Sequence, residues 1–104
     1  MIFVIKENFE KQLEKLSKSY KWIRKDFLDF QENFDLKSAK HLWKWIYKFR
    51  IKNSSIPTWK SWGFRIIILI RIEENKAMPF INYSKTGKEN VTFEEIIKEL
   101  QKYI

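Results

Sequence analysis

The sequence predicts an α+β protein, because two kinds of hydrophobic periodicity occupy separate parts of the chain. Apolar residues recur at helical spacing between residues 7 and 34 and again after residue 92. Between residues 43 and 85 the period is instead the two residues of a β-strand. A short apolar run at residues 2–5 predicts one further strand. The predicted order is therefore strand, two helices, three strands, helix, in a single domain of 104 residues.

The two predicted N-terminal helices are amphipathic and are expected to be antiparallel. Each places apolar side chains on one face, and a polar break at residues 17–19 separates them. Their charged outer faces are typical of solvated helices. The apolar residues are, in order, Phe9, Leu13, Leu16, Tyr20, Ile23, Phe27, Phe30 and Phe34.

Residues 43–52 predict one strand with an aromatic face and a basic face. We expect the aromatic face to form core. A hairpin loop at residues 53–61 leads to a second strand that Gly63 opens. The aromatic face is Trp43, Trp45, Tyr47, Phe49 and Ile51, opposite Lys44, Ile46, Lys48, Arg50 and Lys52. On the second strand Arg65, Ile67, Leu69 and Arg71 share one side.

The end of the chain predicts one strand and one helix. Residues 77–85 form the third strand of this sheet, in which Pro79 marks an edge or a bulge. Thr92 and Glu95 have the spacing of a capping box before a terminal amphipathic helix.

The positive charge of the protein is concentrated in one segment. Residues 36–72 contain nine Lys or Arg and no Asp or Glu, whereas the rest of the chain is close to neutral; the net charge is +8. The same segment contains most of the Trp residues. Cations beside aromatic rings are typical of surfaces that neutralise phosphates and stack on bases, so nucleic acid is the first partner to consider.

Composition excludes several other classes of function. The chain has no Cys and one His, which leaves no thiolate chemistry and few transition-metal ligands. It has no Gly-rich phosphate loop, so we expect no cofactor and no small-molecule ligand. The longest apolar run is far too short to cross a bilayer, and the N-terminus does not resemble a signal peptide. We expect a cytoplasmic protein that does not bind a membrane.

Three motifs resemble the RelE/ParE superfamily of toxins from type II toxin-antitoxin systems. They are Lys48-Phe49-Arg50-Ile51-Lys52 on one strand, Gly63-Phe64-Arg65 opening the next, and Tyr83-Ser84-Lys85 ending the last. Each is short, but their order and spacing along nearly the whole chain agree. The resemblance implies a RelE-like fold, with a small curved antiparallel sheet packed against the two N-terminal helices.

The resemblance also implies a function and partners. RelE-like members cut mRNA in the ribosomal A site by attack of a 2′-hydroxyl on the adjacent phosphate, without a metal. ParE-like members inhibit DNA gyrase, and an antitoxin protein neutralises both classes. The partners implied for this chain are therefore a cognate antitoxin, mRNA and ribosomal RNA.

Carried over residue by residue, the basic positions of the family are Lys48, Arg50 and Arg65. A guanidinium stays charged and holds two phosphate oxygens, so Arg65 suits a phosphate clamp. The C-terminal Tyr or His that several members use as a base has no clear counterpart in this sequence, where Thr92 stands at that place, so Tyr83 and Lys85 are the nearest candidates. A lysine among other cations has its ammonium form disfavoured, which also makes Lys48 a candidate base.

A second group of residues is expected to contact nucleic acid without catalysing the reaction. It comprises Lys44, Lys52, Trp59, Lys60, Arg71 and Lys88. For the strand lysines the competing interpretation is a solvated sheet face that discourages edge aggregation. Trp59 and Trp62 flank Lys60, and we expect them either to contact a partner or to pack against the rest of the protein. We expect a surface role for His41.

Three functions remain open on sequence alone. The first is a metal-independent, ribosome-dependent mRNA endoribonuclease. The second is a ParE-like gyrase inhibitor that cuts nothing. The third is a noncatalytic nucleic-acid-binding module, for which the charge block is sufficient.

Overall fold

The computed structural model describes residues 1–56, 63–84 and 91–103 and confirms the α+β class. Three short 3₁₀ segments, Leu36–Ser38, Ile72–Glu74 and Gln101–Tyr103, complete the regular structure of the described residues. The helices and strands are β1 (Ile2–Phe3), α1 (Glu7–Ser17), α2 (Ile23–Glu32), β2 (Lys40–Trp43), β3 (Ile46–Ile51), β4 (Phe64–Arg71), β5 (Lys76–Ser84) and α3 (Phe93–Leu100).

The strands form one five-stranded sheet in the order β1-β5-β4-β3-β2. β1 is parallel to β5, and every other neighbouring pair is antiparallel. β4 is central, which explains its nearly continuous run of isoleucines. A strand with covered faces on both sides needs apolar residues at successive positions and not only at alternate ones.

The prediction of a single strand at residues 43–52 is wrong. The chain reverses at Lys44 and Trp45, so that β2 and β3 form a tight hairpin with Trp43 opposite Ile46. Lys44 takes a left-handed φ of 46°. Its carbonyl oxygen lies 2.6 Å from Nε2 of His41, which keeps that ring at the surface of the turn. The turn contains no Gly or Pro, so nothing in the sequence interrupted the period of two.

The hairpin also exposes two tryptophans that were predicted to be buried. Trp43 and Trp45 were expected in the core, but 43% and 48% of their surfaces are exposed. Tyr47 and Phe49, further along β3, do face the helices as expected, and Phe49 is buried. The aromatic face therefore continues through only half of the predicted strand.

The two faces of the sheet are covered by different helices. α1 and α2 pack on one face over Phe49 and alternate residues of β4. α3 covers part of the other face, where Ile96 packs with Ile46 and Ile67. The part of this second face beyond α3 carries the basic side chains of β3 and β4.

The outer side of β5 shows two adaptations. Opposite Ile67 and Ile68 the strand inserts an extra residue at Phe80, so the bulge predicted from Pro79 is confirmed. Gln12 of α1 then takes the place of a neighbouring strand. Its Nε2 donates to the carbonyl of Phe80 at 2.8 Å, and its Oε1 accepts from the backbone N–H of Asn82 at 2.9 Å.

The capping box of α3 is also confirmed. The hydroxyl of Thr92 accepts from the backbone N–H of Glu95 at 3.2 Å, and the Glu95 carboxylate accepts in return from the Thr92 backbone. Among the described residues, no helix has the length and apolar character that a membrane span requires.

Candidate functional site

One row of side chains crosses three strands at the end of the basic face. Arg50 of β3 lies directly opposite Arg65 of β4, and Arg65 lies directly opposite Tyr83 of β5. Directly opposed residues of neighbouring strands share a face, with Cβ atoms about 5 Å apart. Three of the five residues predicted as catalytic are therefore neighbours. We call Arg50, Arg65 and Tyr83 the cross-strand row.

Arg65 is the buried member of this row. It is 7% exposed and Tyr83 is 8% exposed, whereas Arg50 is exposed. Burial lowers the pKa of the Arg65 guanidinium, and the positive charge of Arg50 lowers that pKa further, while Tyr83 acts in the opposite direction. A guanidinium titrates so far above neutrality that Arg65 still carries its full charge. The row therefore concentrates two positive charges where an anion would relieve their repulsion.

Gly63 allows the two arginines to come together. Its φ of +73° lies in the left-handed region, which disfavours any residue with a Cβ. A Cβ at this position would meet the carbonyl oxygen of Ile51 at 2.7 Å and would touch the Arg50 and Arg65 side chains at 3.5 Å. The glycine of the Gly-Phe-Arg motif is thus required both by backbone conformation and by space.

The segment after β3 is anchored to α2 by a buried carboxylate. Asp26 accepts from the backbone N–H of Ser54 at 2.9 Å and from its hydroxyl at 2.6 Å. The hydroxyl of Ser55 accepts from the backbone N–H of Trp22 at 2.9 Å. These bonds hold the chain just beyond Arg50, so they restrict how far that end of β3 can move.

Lys48 lies on the same face of β3 as Arg50, two positions earlier, and is partly buried. Beside it a cavity of about 200 Å³ opens between α3 and the β2–β3 hairpin. Lys40 of β2 is directly opposite Lys48 and lines the same cavity. The basic face therefore continues from the cross-strand row towards this cavity.

Two residues predicted to bind nucleic acid lie at the opposite end of the sheet. Arg71 ends β4, six residues from Arg65, and forms ion pairs with Glu73 at 3.1 Å and Glu74 at 3.6 Å. Its guanidinium also lies 5.0 Å from the ring centre of Trp45. The ammonium of Lys44 lies 4.8 Å from the ring of Trp43. This end of the sheet is a separate surface of exposed aromatic and basic residues.

The remaining predicted residues divide into two groups. Lys52 is exposed just after β3 and lines a cavity together with Arg50, Asp26 and Asp35. The others, Trp59, Lys60, Trp62, Lys85 and Lys88, lie outside the described residues. Lys85, a candidate base, is therefore not placed relative to the cross-strand row.

Sequence reasoning missed Lys40 and Phe93 as possible site residues. Phe93 begins α3, is 52% exposed, and contacts Trp43 edge to face at 5.3 Å. Lys40 was interpreted only as part of the polar connector before the predicted basic strand, and Phe93 only as part of the terminal helix. The sequence did contain a signal for Phe93, because it is an apolar residue directly after the capping threonine. The first turn of a helix is normally more polar than the apolar face that the helix buries.

The acidic and histidine side chains do not suggest a metal centre. In the described parts of the chain, no three residues of the His, Cys, Asp or Glu types come together as metal ligands would. The chemistry of the basic face is instead that of anion binding by guanidinium and ammonium groups.

Comparison with known proteins gives information on the fold. No protein-family model and no curated protein matches this chain. Among solved structures, a free-state mutant of the E. coli toxin RelE is similar, with a TM-score of 0.55 over 99% of this chain and 96% of that one. The two sequences are 15% identical. At this identity the match shows a common fold, and it confirms the expected RelE-like architecture.

Proposed function

We propose that this chain is the toxin of a type II toxin-antitoxin system and that it inhibits translation by cutting mRNA on the ribosome. The observation that carries the proposal is the cross-strand row, in which Arg50, Arg65 and Tyr83 meet on one face of a RelE-like sheet. A phosphate placed there would neutralise two guanidinium groups that repel each other. The proposal includes a cytoplasmic location, where mRNA and ribosomes are found.

The proposed reaction is a transesterification that needs no metal. The 2′-oxygen of one nucleotide loses its proton and attacks the adjacent phosphorus, while the bond to the 5′-oxygen breaks and that oxygen takes up a proton. Arg65 and Arg50 stabilise the additional negative charge on the phosphoryl oxygens during this step. Arg65 has the better geometry for the purpose, because its burial fixes the guanidinium before the substrate arrives.

The two proton transfers are assigned to residues around the row. Tyr83 is next to Arg65, and Lys48 lies on the same face of the sheet, so each could exchange a proton with the 2′- or the 5′-oxygen. Lys85 remains a third candidate from the sequence. The described His41 is held in the β2–β3 turn by its contact with Lys44 and is not a candidate for this chemistry.

The proposed partners are molecules that would bind the basic face of the sheet. An antitoxin would neutralise the toxin by covering the basic sheet with an acidic or apolar segment, which compensates the charges of Arg50 and Arg65. In the absence of antitoxin, mRNA and ribosomal RNA occupy that face. Lys44, Lys52 and Arg71 are proposed to contribute to RNA binding outside the cross-strand row, together with Trp59, Lys60 and Lys88.

The test compares induced expression of wild type, Arg65→Ala and Arg65→Lys. We expect wild type to arrest growth and to produce new mRNA 5′ ends on translating ribosomes. Arg65→Ala should lose both effects, and Arg65→Lys should retain only a small part of them, because an ammonium cannot hold two phosphate oxygens in the same plane. Protein levels and circular dichroism would verify that the variants fold.

Arg24→Ala is the matched control. Arg24 is an exposed arginine on α2 that pairs with Glu10, so its removal costs one positive charge on the helical side of the molecule. It should remain toxic. Growth arrest without mRNA cuts, unchanged in Arg65→Ala, would contradict the proposal and favour gyrase as the target. RNA binding without cuts or arrest would favour a noncatalytic binding module.

A further inference from the structure

The cavity between α3 and the β2–β3 hairpin has the features of a binding site in its own right. It measures about 200 Å³ and is separate from the cross-strand row, although Lys48 borders it. Its apolar walls are Leu42, Ile67, Val91, Phe93 and Ile96. Pockets for drug-sized molecules are about 300–1,000 Å³, so this cavity suits a single ring system.

The walls of the cavity are held firmly. Ile67 is fully buried in the central strand and Ile96 is 4% exposed, so both are parts of the core. Phe93 is half exposed but is held by its edge-to-face contact with Trp43 at 5.3 Å. An aromatic side chain beside rigid aliphatic walls favours a planar, apolar-faced ligand.

The polar side chains of the described lining are of one kind. Lys40 and Lys48 occupy directly opposed positions on β2 and β3, and both line the cavity. An ammonium donates hydrogen bonds and cannot accept them. The described lining therefore offers side-chain donors without a side-chain acceptor. A carbonyl oxygen at the ring position that faces Lys40 is satisfied here, whereas an amino group at that position finds no side-chain acceptor in the described lining.

We propose that this cavity binds one pyrimidine base of the RNA and prefers uracil over cytosine, which is a keto preference at ring position 4. This inference rests on the proposed function, because it assigns the base to a nucleotide near the phosphate that is cut. Lys48 and Arg50 are two positions apart on one strand face, about 7 Å, so the cavity lies within a nucleotide's reach of the cross-strand row. Lys40 donates to the keto oxygen.

The test is a set of nucleoside titrations in which methyl NMR signals of the protein are monitored. Uridine is compared with cytidine, since the main difference between them is a carbonyl oxygen in place of an amino group at ring position 4. Nucleosides carry no phosphate, so general attraction of phosphate to lysine does not contribute. We expect uridine to shift the methyl signals of Leu42, Ile67 and Ile96 and to bind about fivefold more tightly than cytidine.

Two lysine variants test the donor. Lys40→Met keeps the length of the side chain and removes the ammonium, so it should bring uridine and cytidine to nearly equal affinity. Lys37→Met removes an exposed lysine of the preceding 3₁₀ segment and should leave the preference unchanged. Equal affinities for uridine and cytidine, no shifts at all, or a preference that persists in Lys40→Met would overturn the inference.

The same experiments separate this inference from the proposed function. If wild type cuts mRNA but the nucleosides do not bind with a keto preference, the function stands and the cavity assignment fails. If the keto preference is found but mRNA is never cut, the ribonuclease function fails and the cavity remains a base-binding site. If both stand, uracil should occur more often than cytosine at one fixed offset from the mapped cuts, and Lys40→Met should weaken that preference.

Discussion

Arg65 is a buried cation whose nearest cross-strand neighbours include another cation. Burial and the charge of Arg50 both lower the pKa of its guanidinium, which means that the charged form is disfavoured in the folded protein. At neutral pH Arg65 is nevertheless charged in both the folded and the unfolded chain, so the folded state bears the cost. A residue that lowers stability in this way is expected at a site that binds an anion.

Arg50→Gln is predicted to increase stability while reducing function. The substitution removes the like charge that faces Arg65, and it should raise the free energy of unfolding by up to about 0.5 kcal/mol at low salt. The same change should reduce mRNA cutting, because one of the two charges that hold the phosphate is removed. Urea unfolding and mapping of mRNA 5′ ends would measure the two effects.

Lys52→Gln is the control for that prediction, since Lys52 lies on the same strand end but outside the cross-strand row. It should leave stability nearly unchanged. A decrease in stability of Arg50→Gln, or a stability gain that persists in 1 M salt, would show that repulsion between Arg50 and Arg65 is not the cause.

Gly63→Ala is predicted to be strongly destabilising. A left-handed φ costs a residue with a Cβ about 1–2 kcal/mol, and the 2.7 Å approach to the Ile51 carbonyl forces a further displacement. We expect a loss of about 2–4 kcal/mol in urea unfolding. Asn75→Gly is the comparison, because Asn75 has a φ of 54° that glycine also adopts, and its stability should change little. Equal effects of the two variants would contradict this account.

At the scale of elements, two pieces of secondary structure form the candidate site beyond the cross-strand row. The β2–β3 hairpin brings Lys40 opposite Lys48 and leaves Trp43 at the surface to contact Phe93. α3 begins at its capping box and closes the other side of the cavity. The docking of α3 and the residues after it on α1 therefore affects the geometry of the base-binding cavity.

Tyr103 attaches the C-terminal segment to α1 and makes this docking dependent on pH. Its hydroxyl accepts from Nε2 of Gln12 at 3.2 Å. Burial, followed by the nearby Glu99 carboxylate, raises the pKa of Tyr103 to about 12, and the bond from Gln12 opposes this shift. In the unfolded chain a tyrosine loses its proton near pH 10. Between about pH 10 and 12 the unfolded state therefore binds fewer protons, and stability falls as pH rises.

Tyr103→Phe is predicted to remove that part of the pH dependence. At pH 8 the variant should be less stable by about 1 kcal/mol, because the hydrogen bond from Gln12 is absent. Above pH 10 the difference should shrink, since wild type alone bears the cost of keeping the phenol protonated. Urea unfolding from pH 8 to pH 11 would measure this. Profiles that stay parallel over the whole range would exclude Tyr103 as the titrating group.

At the scale of the whole molecule, the distribution of charge matters more than its total. The net charge of +8 comes from one segment that supplies β2, β3 and β4, and the helices on the other face carry mixed charges. Single-stranded RNA bound to the basic face would release counterions, so affinity should fall steeply with salt.

The salt dependence of RNA binding is predicted to report which residues neutralise phosphate. A fluorescent single-stranded oligonucleotide titrated at several salt concentrations should give a slope that becomes shallower by about 0.7 in Arg50→Gln for each phosphate that the variant no longer neutralises. Lys18→Gln changes the net charge equally, but Lys18 is an exposed residue at the end of α1. It should leave the slope unchanged. Equal changes in both variants would indicate a general charge effect without a defined site.

Much of the fold was predictable because its signals are local. The helical spacing of Phe9 and Leu13, the bulge at Pro79 and the capping box at Thr92 each depend on residues a few positions apart. The β2–β3 turn was not predictable, because Lys44 and Trp45 lack the Gly, Asn or Pro that usually marks a reversal. Its left-handed Lys44 is stabilised by contacts from elsewhere on the hairpin, including His41.

The sequence predicted which residues form the candidate site but not how they are arranged. The sequence indicated that Lys48, Arg50, Arg65 and Tyr83 lie on neighbouring strands, and it located the positive charge in one segment. It did not show that Arg65 would be buried while Arg50 stays exposed, because burial depends on which strand is central. Lys40 and Phe93 are about 50 residues apart in the chain and meet only around the cavity.

By itself the sequence determined the α+β class, the order of most elements, and a basic segment on β-strands, because periodicity, capping and charge are properties of neighbouring residues. Only the tertiary structure decided the register that places Arg50, Arg65 and Tyr83 in one row, the hairpin that exposes Trp43 and Trp45, and the cavity beneath α3. Register and burial depend on pairing between distant parts of the chain, and that pairing is settled only when the whole sheet and its helices pack together.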